Sequence, residues 1–69
     1  MVSKFSERLR DLRLEKELSQ RQLSKETSLS QNAISKWEKE QRLPNINAVI
    51  ALAEFFGVTT DYILGVTND

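Results

Sequence analysis

The sequence predicts an all-α protein, built as one compact domain of five short helices. Its 69 residues include only one proline and two glycines. No segment alternates apolar and polar residues as a half-buried strand does, whereas apolar residues recur at the spacing of three and four that is typical of amphipathic helices. We expect a single domain over residues 1–69 with its core at about residues 5–65, because a chain this short supports one small core.

Helices 1 and 2 are predicted from apolar spacing and from a capping signal. Helix 1 should cover residues 3–17, with an apolar stripe formed by Phe5, Leu9 and Leu12. Ser19 is a good N-cap for a second helix that begins at Gln20, and Gln22 stands at the capping-box position. Helix 2 is short, since the polar residues 27–28 end it.

Helices 3 and 4 are also bounded by residues that start or stop helices. Ser30 supplies the N-cap of helix 3. Helix 4 starts at Pro44 or Asn45, because the residue before a proline resists helical geometry. Gly57 is placed for a left-handed C-cap of helix 4. The stripe that we expect helix 4 to bury comprises Ile46, Val49, Leu52, Ala53 and Phe56.

Helix 3 separates into two faces. At about 100° per residue, Ala33, Ile34 and Trp37 share the side that we expect to be buried. Amide side chains can donate and accept in a fixed bidentate geometry, so the opposite side is suited to recognising another polar edge. That polar side carries Gln31, Asn32, Ser35, Lys36 and Lys39.

Helices 2 and 3 have the spacing of a helix-turn-helix. Two short helices can share one core across a turn of about three or four residues, and the apolar positions allow this at Leu23, Thr27, Leu29, Ile34 and Trp37. The second helix of such a motif stands out from the body and fits a major groove about 12 Å wide. There glutamine and asparagine pair with adenine, and lysine donates to guanine.

The composition excludes most catalytic chemistry. The chain has no cysteine and no histidine, which are the commonest metal ligands, the usual base near neutral pH and the best nucleophile. We therefore expect no enzyme, no catalytic or metal site, no cofactor and no small-molecule ligand. No apolar run approaches the roughly 20 residues that span a membrane, so we expect a cytoplasmic protein without a membrane partner.

Charge is distributed unevenly along the chain, although the formal net charge is zero. Residues 1–42 hold ten basic and seven acidic residues, a net charge of +3, and residues 43–69 carry −3. Such asymmetry is a modest indication of an anionic partner for the first part. Charges scattered over solvated helix faces would give the same pattern, and we weigh the two interpretations equally.

Several motifs together resemble one known family. They are R-x-x-x-x-L-S-Q at residues 13–20, S-x-x-x-I-S-x-W-E at residues 30–38, a proline before helix 4, and L-A-x-x-F-G-V-T at residues 52–59. The chain resembles, over residues 5–65, the lambda-repressor-like helix-turn-helix domains of the Cro and phage-repressor type, the XRE family. The resemblance implies a DNA-binding transcriptional regulator, and we expect a repressor of phage or mobile-element type that binds a palindromic double-stranded operator as a homodimer.

The resemblance also implies roles for single residues. Gln31, Asn32 and Lys36 occupy base-contacting positions, with Ser35 as a fourth. Gln20 matches a phosphate-contacting position, and a helix N-terminus favours an anion on its own account. Further phosphate candidates are Ser19, Gln22, Ser30, Lys39 and Arg42. The remaining matched pair, Arg13 and Glu38, corresponds to a partly buried structural ion pair.

The chain departs from the family at three positions where relatives often carry glycine, which here hold Glu17, Ser28 and Glu40. A positive φ at Ser28 would strain a non-glycine residue by about 1 kcal/mol. Glu40 also adds negative charge near the expected phosphate path, which would weaken binding or lower its salt dependence.

Helix 5, TTDYILG, is expected to be capped by Thr59 or Thr60 and stopped by Gly65. Around it we expect an exposed apolar surface for self-association, formed by Phe55, Tyr62, Ile63 and Val66, unless these last residues simply close a small core. The second function that the sequence allows is a small protein-interaction or dimerisation module, for example antitoxin-like, with the same fold. Such a module would be sensitive to substitution in this surface and indifferent in helix 3.

Overall fold

The computed structural model describes residues 3–67, and every regular element in that range is a helix. The predicted domain of residues 1–69 therefore includes Met1, Val2, Asn68 and Asp69, which lie outside the described residues. The five helices are α1 (Ser3–Glu15), α2 (Gln20–Thr27), α3 (Gln31–Glu38), α4 (Ile46–Phe56) and α5 (Thr60–Leu64). The all-α class and the number of helices predicted from the sequence are confirmed.

One core holds these helices together. Helix α1 packs against α3 and α5, α2 packs against α3 and α4, and α4 packs against α5. The hydroxyl of Ser6 in α1 donates to the carbonyl of Trp37 in α3, which adds a buried polar bond between these helices. The largest fully buried side chains come from all five helices: Phe5, Leu9, Leu23, Ile34, Leu52 and Ile63.

Side-chain caps fix where four of the helices begin. The Ser19 hydroxyl accepts from the backbone N–H of Gln22, whose side chain accepts in turn from the N–H of Ser19, which completes the predicted capping box. Ser30 caps α3 in the same way. Of the alternatives left open by the sequence, Asn45 caps α4 and Thr59 caps α5.

Within residues 3–67, three residues other than glycine adopt a positive φ. They are Glu17 at 56°, Ser28 at 62° and Glu40 at 60°, the three positions that the sequence analysis singled out. This conformation crowds a Cβ atom against the backbone, so each of them stores strain. Gly57 and Gly65 adopt the same conformation at the ends of α4 and α5, where glycine has no Cβ to crowd.

Two expectations about the helices are wrong. Helix α1 ends at Glu15 and not at residue 17, because the positive φ of Glu17 turns the chain away from the helix. Ile46 does not belong to the buried stripe of α4, since it is 74% exposed, whereas Ala48 is 2% exposed and lies in the core. The helix is rotated so that the side carrying Ile46 and Ile50 is uncovered.

Candidate nucleic-acid interface

The turn between α2 and α3 is closed by side-chain hydrogen bonds. The hydroxyl of Thr27 donates to the carbonyl of Leu23 and accepts from the N–H of Leu29. The hydroxyl of Ser24 donates to the carbonyl of Leu29. Leu29 itself packs against the core. These contacts fix the orientation of α3 relative to α2.

Helix α3 is buried on one side and exposed on the other, as its sequence predicts. Ala33, Ile34 and Trp37 are between 0% and 5% exposed, and Trp37 meets the ring of Phe5 edge-on at 6.2 Å. The opposite side is presented to solvent: Gln31, Asn32 and Lys36 are exposed, and Ser35 is half-buried.

The start of α2 lies beside this polar side of α3. Gln20 lines one polar cleft together with Gln31, Asn32 and Ser35. The family resemblance implies phosphate contact for Gln20 and base contact for the other three side chains, and their proximity is a feature of the tertiary structure. The cleft therefore combines amides from two helices within one small area.

A hydrogen-bonded network behind the cleft fixes the position of Gln20. Arg13 donates from Nε to Oε2 of Glu38 at 2.7 Å and from Nη2 to Oε1 at 2.9 Å, a bidentate ion pair between α1 and α3. Gln20 donates from Nε2 to Oε1 of the same carboxylate at 3.1 Å, and Arg13 also donates to the carbonyl of Leu18. The hydrogen bond with Glu38 raises the pKa of Arg13. The expected ion pair is thus present, and it also anchors the amide of Gln20, which the sequence did not predict.

The capping residues retain donors for an anion. Ser19 and Ser30 accept with their hydroxyl oxygens, and Gln22 accepts with its side-chain oxygen. A hydroxyl carries one donor besides its acceptor sites, and an amide carries an NH₂ group. Capping these helices is therefore compatible with donation from Ser19, Gln22 and Ser30 to phosphate oxygens.

Basic residues follow the end of α3. Lys39, which is the C-cap residue of α3, and Arg42 are both exposed. Glu40 lies between them in the chain and lines a second polar cleft, which includes Lys4 and Arg10 of α1. Between the two cations Lys39 and Arg42, the chain thus carries one carboxylate, that of Glu40, which lies on the side of α1.

The family model described as helix-turn-helix matches residues 9–63, which include the whole α2–turn–α3 unit. The chain belongs to the XRE family of helix-turn-helix proteins. Its fold is the one expected for a lambda-repressor-like domain.

Named relatives of this XRE-family chain include a transcriptional activator and a transcriptional repressor. The HTH-type transcriptional activator BcrR of Enterococcus faecalis is 42% identical over 60 residues, 87% of this chain and 29% of the relative. The cryptic phage CTXphi transcriptional repressor RstR of Vibrio cholerae is 35% identical over 54 residues, 78% of this chain and 49% of the relative. The uncharacterized HTH-type regulator YobD of Bacillus subtilis is 32% identical over 65 residues, 94% of this chain and 58% of the relative. The chain thus spans less than two thirds of each of these relatives, and no solved structure matches it significantly.

The apolar surface expected around helix 5 of this XRE-family domain requires a correction. Ile63 is fully buried and belongs to the core, because α5 packs this side of the helix against α1 and α4. Phe55 is half-buried and packs edge-on against Phe56 at 5.0 Å. Tyr62 is also half-buried, with the guanidinium of Arg8 over its ring. Only Val66 of the four is strongly exposed, at 69%.

A different apolar surface, which sequence reasoning missed, lies between α4 and α5. We call it the α4–α5 groove, and its lining includes Leu43, Pro44, Ile46, Ile50, Thr60 and Leu64. Leu43 is 72% exposed and Ile50 is 42% exposed. A signal for this groove exists in the sequence, since residues 43–53 contain no charged side chain in a chain that is 29% charged.

Within residues 3–67, no helix has the length and apolar character needed to cross a bilayer. Over the same residues, acidic side chains do not gather in groups of three that could hold a metal ion.

Proposed function

We propose that this XRE-family domain binds double-stranded DNA in a sequence-specific manner and regulates transcription. The observation that carries the proposal is the polar side of α3, whose amides and lysine face solvent. The opposite side of the helix is buried in the core, and Gln20 of α2 lies beside the polar side. A helix held in this way can enter the major groove, where base edges present distinct patterns of donors and acceptors.

In this proposal, α3 reads the bases and the flanking residues bind the phosphates. Gln31 or Asn32 pairs with adenine, Lys36 donates to guanine, and Ser35 makes a fourth contact. Phosphate contacts set the register of the domain on the duplex. They come from Ser19, Gln20, Gln22, Ser30, Lys39 and Arg42.

We further propose that the domain acts as a homodimer on a palindromic operator. Helix α3 has eight residues, about 12 Å of helix, so one copy contacts only a few base pairs. Two copies related by a two-fold axis would double the number of base pairs that are contacted. We propose that the protein acts in the cytoplasm, on DNA there. Repression stays a prediction from the sequence, since the named relatives include an activator as well as a repressor.

Selection of bound sequences from a random duplex pool tests this proposal. We expect enrichment of a two-fold-symmetric site with half-sites about 10 base pairs apart, and an affinity that falls log-linearly with salt concentration. Gln31→Ala and Lys36→Ala should relax the preference at single base pairs, at a cost of about 1–3 kcal/mol each.

Lys25→Ala is the matched control, because Lys25 is an exposed lysine in α2 outside the polar cleft. It should leave the base preference unchanged. If no sequence is enriched and binding vanishes at moderate salt, DNA recognition is refuted, and the alternative of a protein-interaction module takes its place. A reporter gene placed behind the enriched site then measures whether the protein represses or activates.

A further inference from the structure

The end of α2 differs from the ends of the other four helices. After α1, α3, α4 and α5, the residue with a positive φ and the residue that follows it donate their N–H groups back to carbonyls of the last turn. At the end of α3, for example, Glu40 donates to the carbonyl of Trp37. Such backbone bonds close a helix around a left-handed residue. At the end of α2, within the described part of the chain, neither Ser28 nor Leu29 forms a bond of this kind.

Two hydroxyls of α2 take the place of these backbone bonds. The hydroxyl of Thr27 accepts from the N–H of Leu29 at 3.3 Å and donates to the carbonyl of Leu23 at 2.8 Å. The hydroxyl of Ser24 donates to the carbonyl of Leu29. Both backbone polar groups of Leu29 are thus held by side chains of α2, and these side chains are half-buried.

The replacement matters because the turn contains a strained residue. Ser28 has a φ of 62°, and a residue other than glycine keeps this conformation only where its surroundings impose it. After α1 and α3, backbone bonds impose it on Glu17 and Glu40. After α2, the hydrogen bonds that hold the turn come from Ser24 and Thr27.

The conformation of this turn decides the direction of α3. Leu29 directly precedes Ser30, the N-cap residue of α3, and Gln31 and Asn32 form the first turn of that helix. A change of φ at Ser28 would rotate the chain that follows it. A binding constellation must be held within about 0.5 Å of its productive geometry, so a loose turn would weaken contacts with base edges.

We propose that Ser24 and Thr27 are positioning residues for base recognition. Their hydroxyls hold the strained turn at Ser28 and thereby fix the orientation of α3 relative to α2. The inference rests on the proposed function, because it concerns how the polar side of α3 is presented to DNA. It assigns a role in specificity to two residues outside the proposed set of base and phosphate contacts.

A double-variant cycle at positions 24 and 28 tests the inference. The readout is the ratio of the affinities for the enriched duplex and for a scrambled duplex. Partial unfolding lowers both affinities equally, so this ratio reports the orientation of α3 and not the stability of the domain. We expect Ser24→Ala to lower the ratio about tenfold, the cost of about one mismatched base pair. Thr27→Val removes the other hydroxyl with little change of shape and should also lower the ratio.

Ser28→Gly provides the rescue. Glycine adopts a positive φ without crowding, so the turn no longer needs the hydroxyl of Ser24. Ser28→Gly alone should leave the ratio unchanged, and Ser24→Ala combined with Ser28→Gly should return it to within about twofold of the unsubstituted protein.

Ser6→Ala is the matched control. It removes a buried bond from a serine hydroxyl to a carbonyl of α3, that of Trp37, at the end of the helix away from the turn. Its effect on the ratio should be the same with and without Ser28→Gly.

Amide hydrogen exchange of the free domain measures the same coupling without DNA. We expect Ser24→Ala to speed exchange at the N–H groups of Leu29 and Ala33 about tenfold relative to those of α4, since these groups lie in the turn and in the first turn of α3. Addition of Ser28→Gly should reverse this change.

The inference is overturned if Ser24→Ala or Thr27→Val keeps the affinity ratio of the unsubstituted protein, or if Ser28→Gly fails to rescue Ser24→Ala. It is also overturned if Ser28→Gly rescues Ser6→Ala equally well. Failure of the proposed function gives a different result: the random pool would yield no preferred site, but hydrogen exchange would still show the coupling between positions 24 and 28.

Discussion

Replacement of Ser28 by glycine should stabilise the domain, because Ser28 ends α2 with a φ of 62°. A side chain in this left-handed region costs about 1–2 kcal/mol. Glycine removes that cost but loses about 0.5–1 kcal/mol of additional backbone entropy on folding. The net gain in the free energy of unfolding is about 0.5–1 kcal/mol, which corresponds to a rise in Tm of about 2–8 °C for a domain of this size.

The same reasoning applies to the other two strained positions. Glu17→Gly and Glu40→Gly should each give a similar gain, since their φ values of 56° and 60° lie in the same region. The three residues follow three different helices, so the effects should add. The triple variant should gain about 2 kcal/mol.

Fluorescence of Trp37, the single tryptophan, is a suitable probe of unfolding in urea and heat because this residue lies in the core. Lys25→Gly is the control, since it places glycine at an exposed position inside α2 and should cost about 1 kcal/mol. The reasoning is refuted if Ser28→Gly lowers the free energy of unfolding as the control does.

Three further predictions concern packing, the ion pair and DNA. Gly65→Ala should destabilise the domain more than Gly57→Ala in urea melts. Both glycines have a positive φ, but only at Gly65 would an added Cβ clash with another side chain, that of Lys4 in α1. Equal losses would contradict this. Glu38→Gln should cost about 2 kcal/mol, since it leaves a partly buried guanidinium without its counter-charge, and a loss below about 0.5 kcal/mol in the same melts would show that the pair is dispensable. Lys39→Ala should reduce the slope of log affinity against log salt by about 1 without changing the selected sequence, whereas Lys36→Ala should change that sequence.

Local signals in the sequence predicted much of the fold. Ser19 and Gln22 form a capping box within four residues of chain, and the proline at position 44 marks the break before α4. Such signals act between neighbours in the chain, so they need no knowledge of the rest of the molecule. The resemblance to a family added the pairing of Arg13 with Glu38, 25 positions apart, which no local pattern could have predicted.

The surfaces could not be predicted in the same way. Ile46 and Ile63 are both isoleucines on amphipathic helices, yet Ile46 is 74% exposed and Ile63 is fully buried. Periodicity shows which residues share a side of a helix. When a helix has two apolar sides, periodicity does not show which of them faces the core. The expected apolar surface was therefore given one residue too many, since α5 packs Ile63 into the core while Val66 stays exposed.

The sequence by itself determined the helices, most of their caps and the polar face of α3, because these depend on residues a few places apart. Only the tertiary structure decided that Gln20 joins that face through the carboxylate of Glu38, and that Leu43, Ile46 and Ile50 remain uncovered in one groove. The physical reason is that these outcomes depend on how whole helices pack, and packing is settled by the sum of contacts across the core.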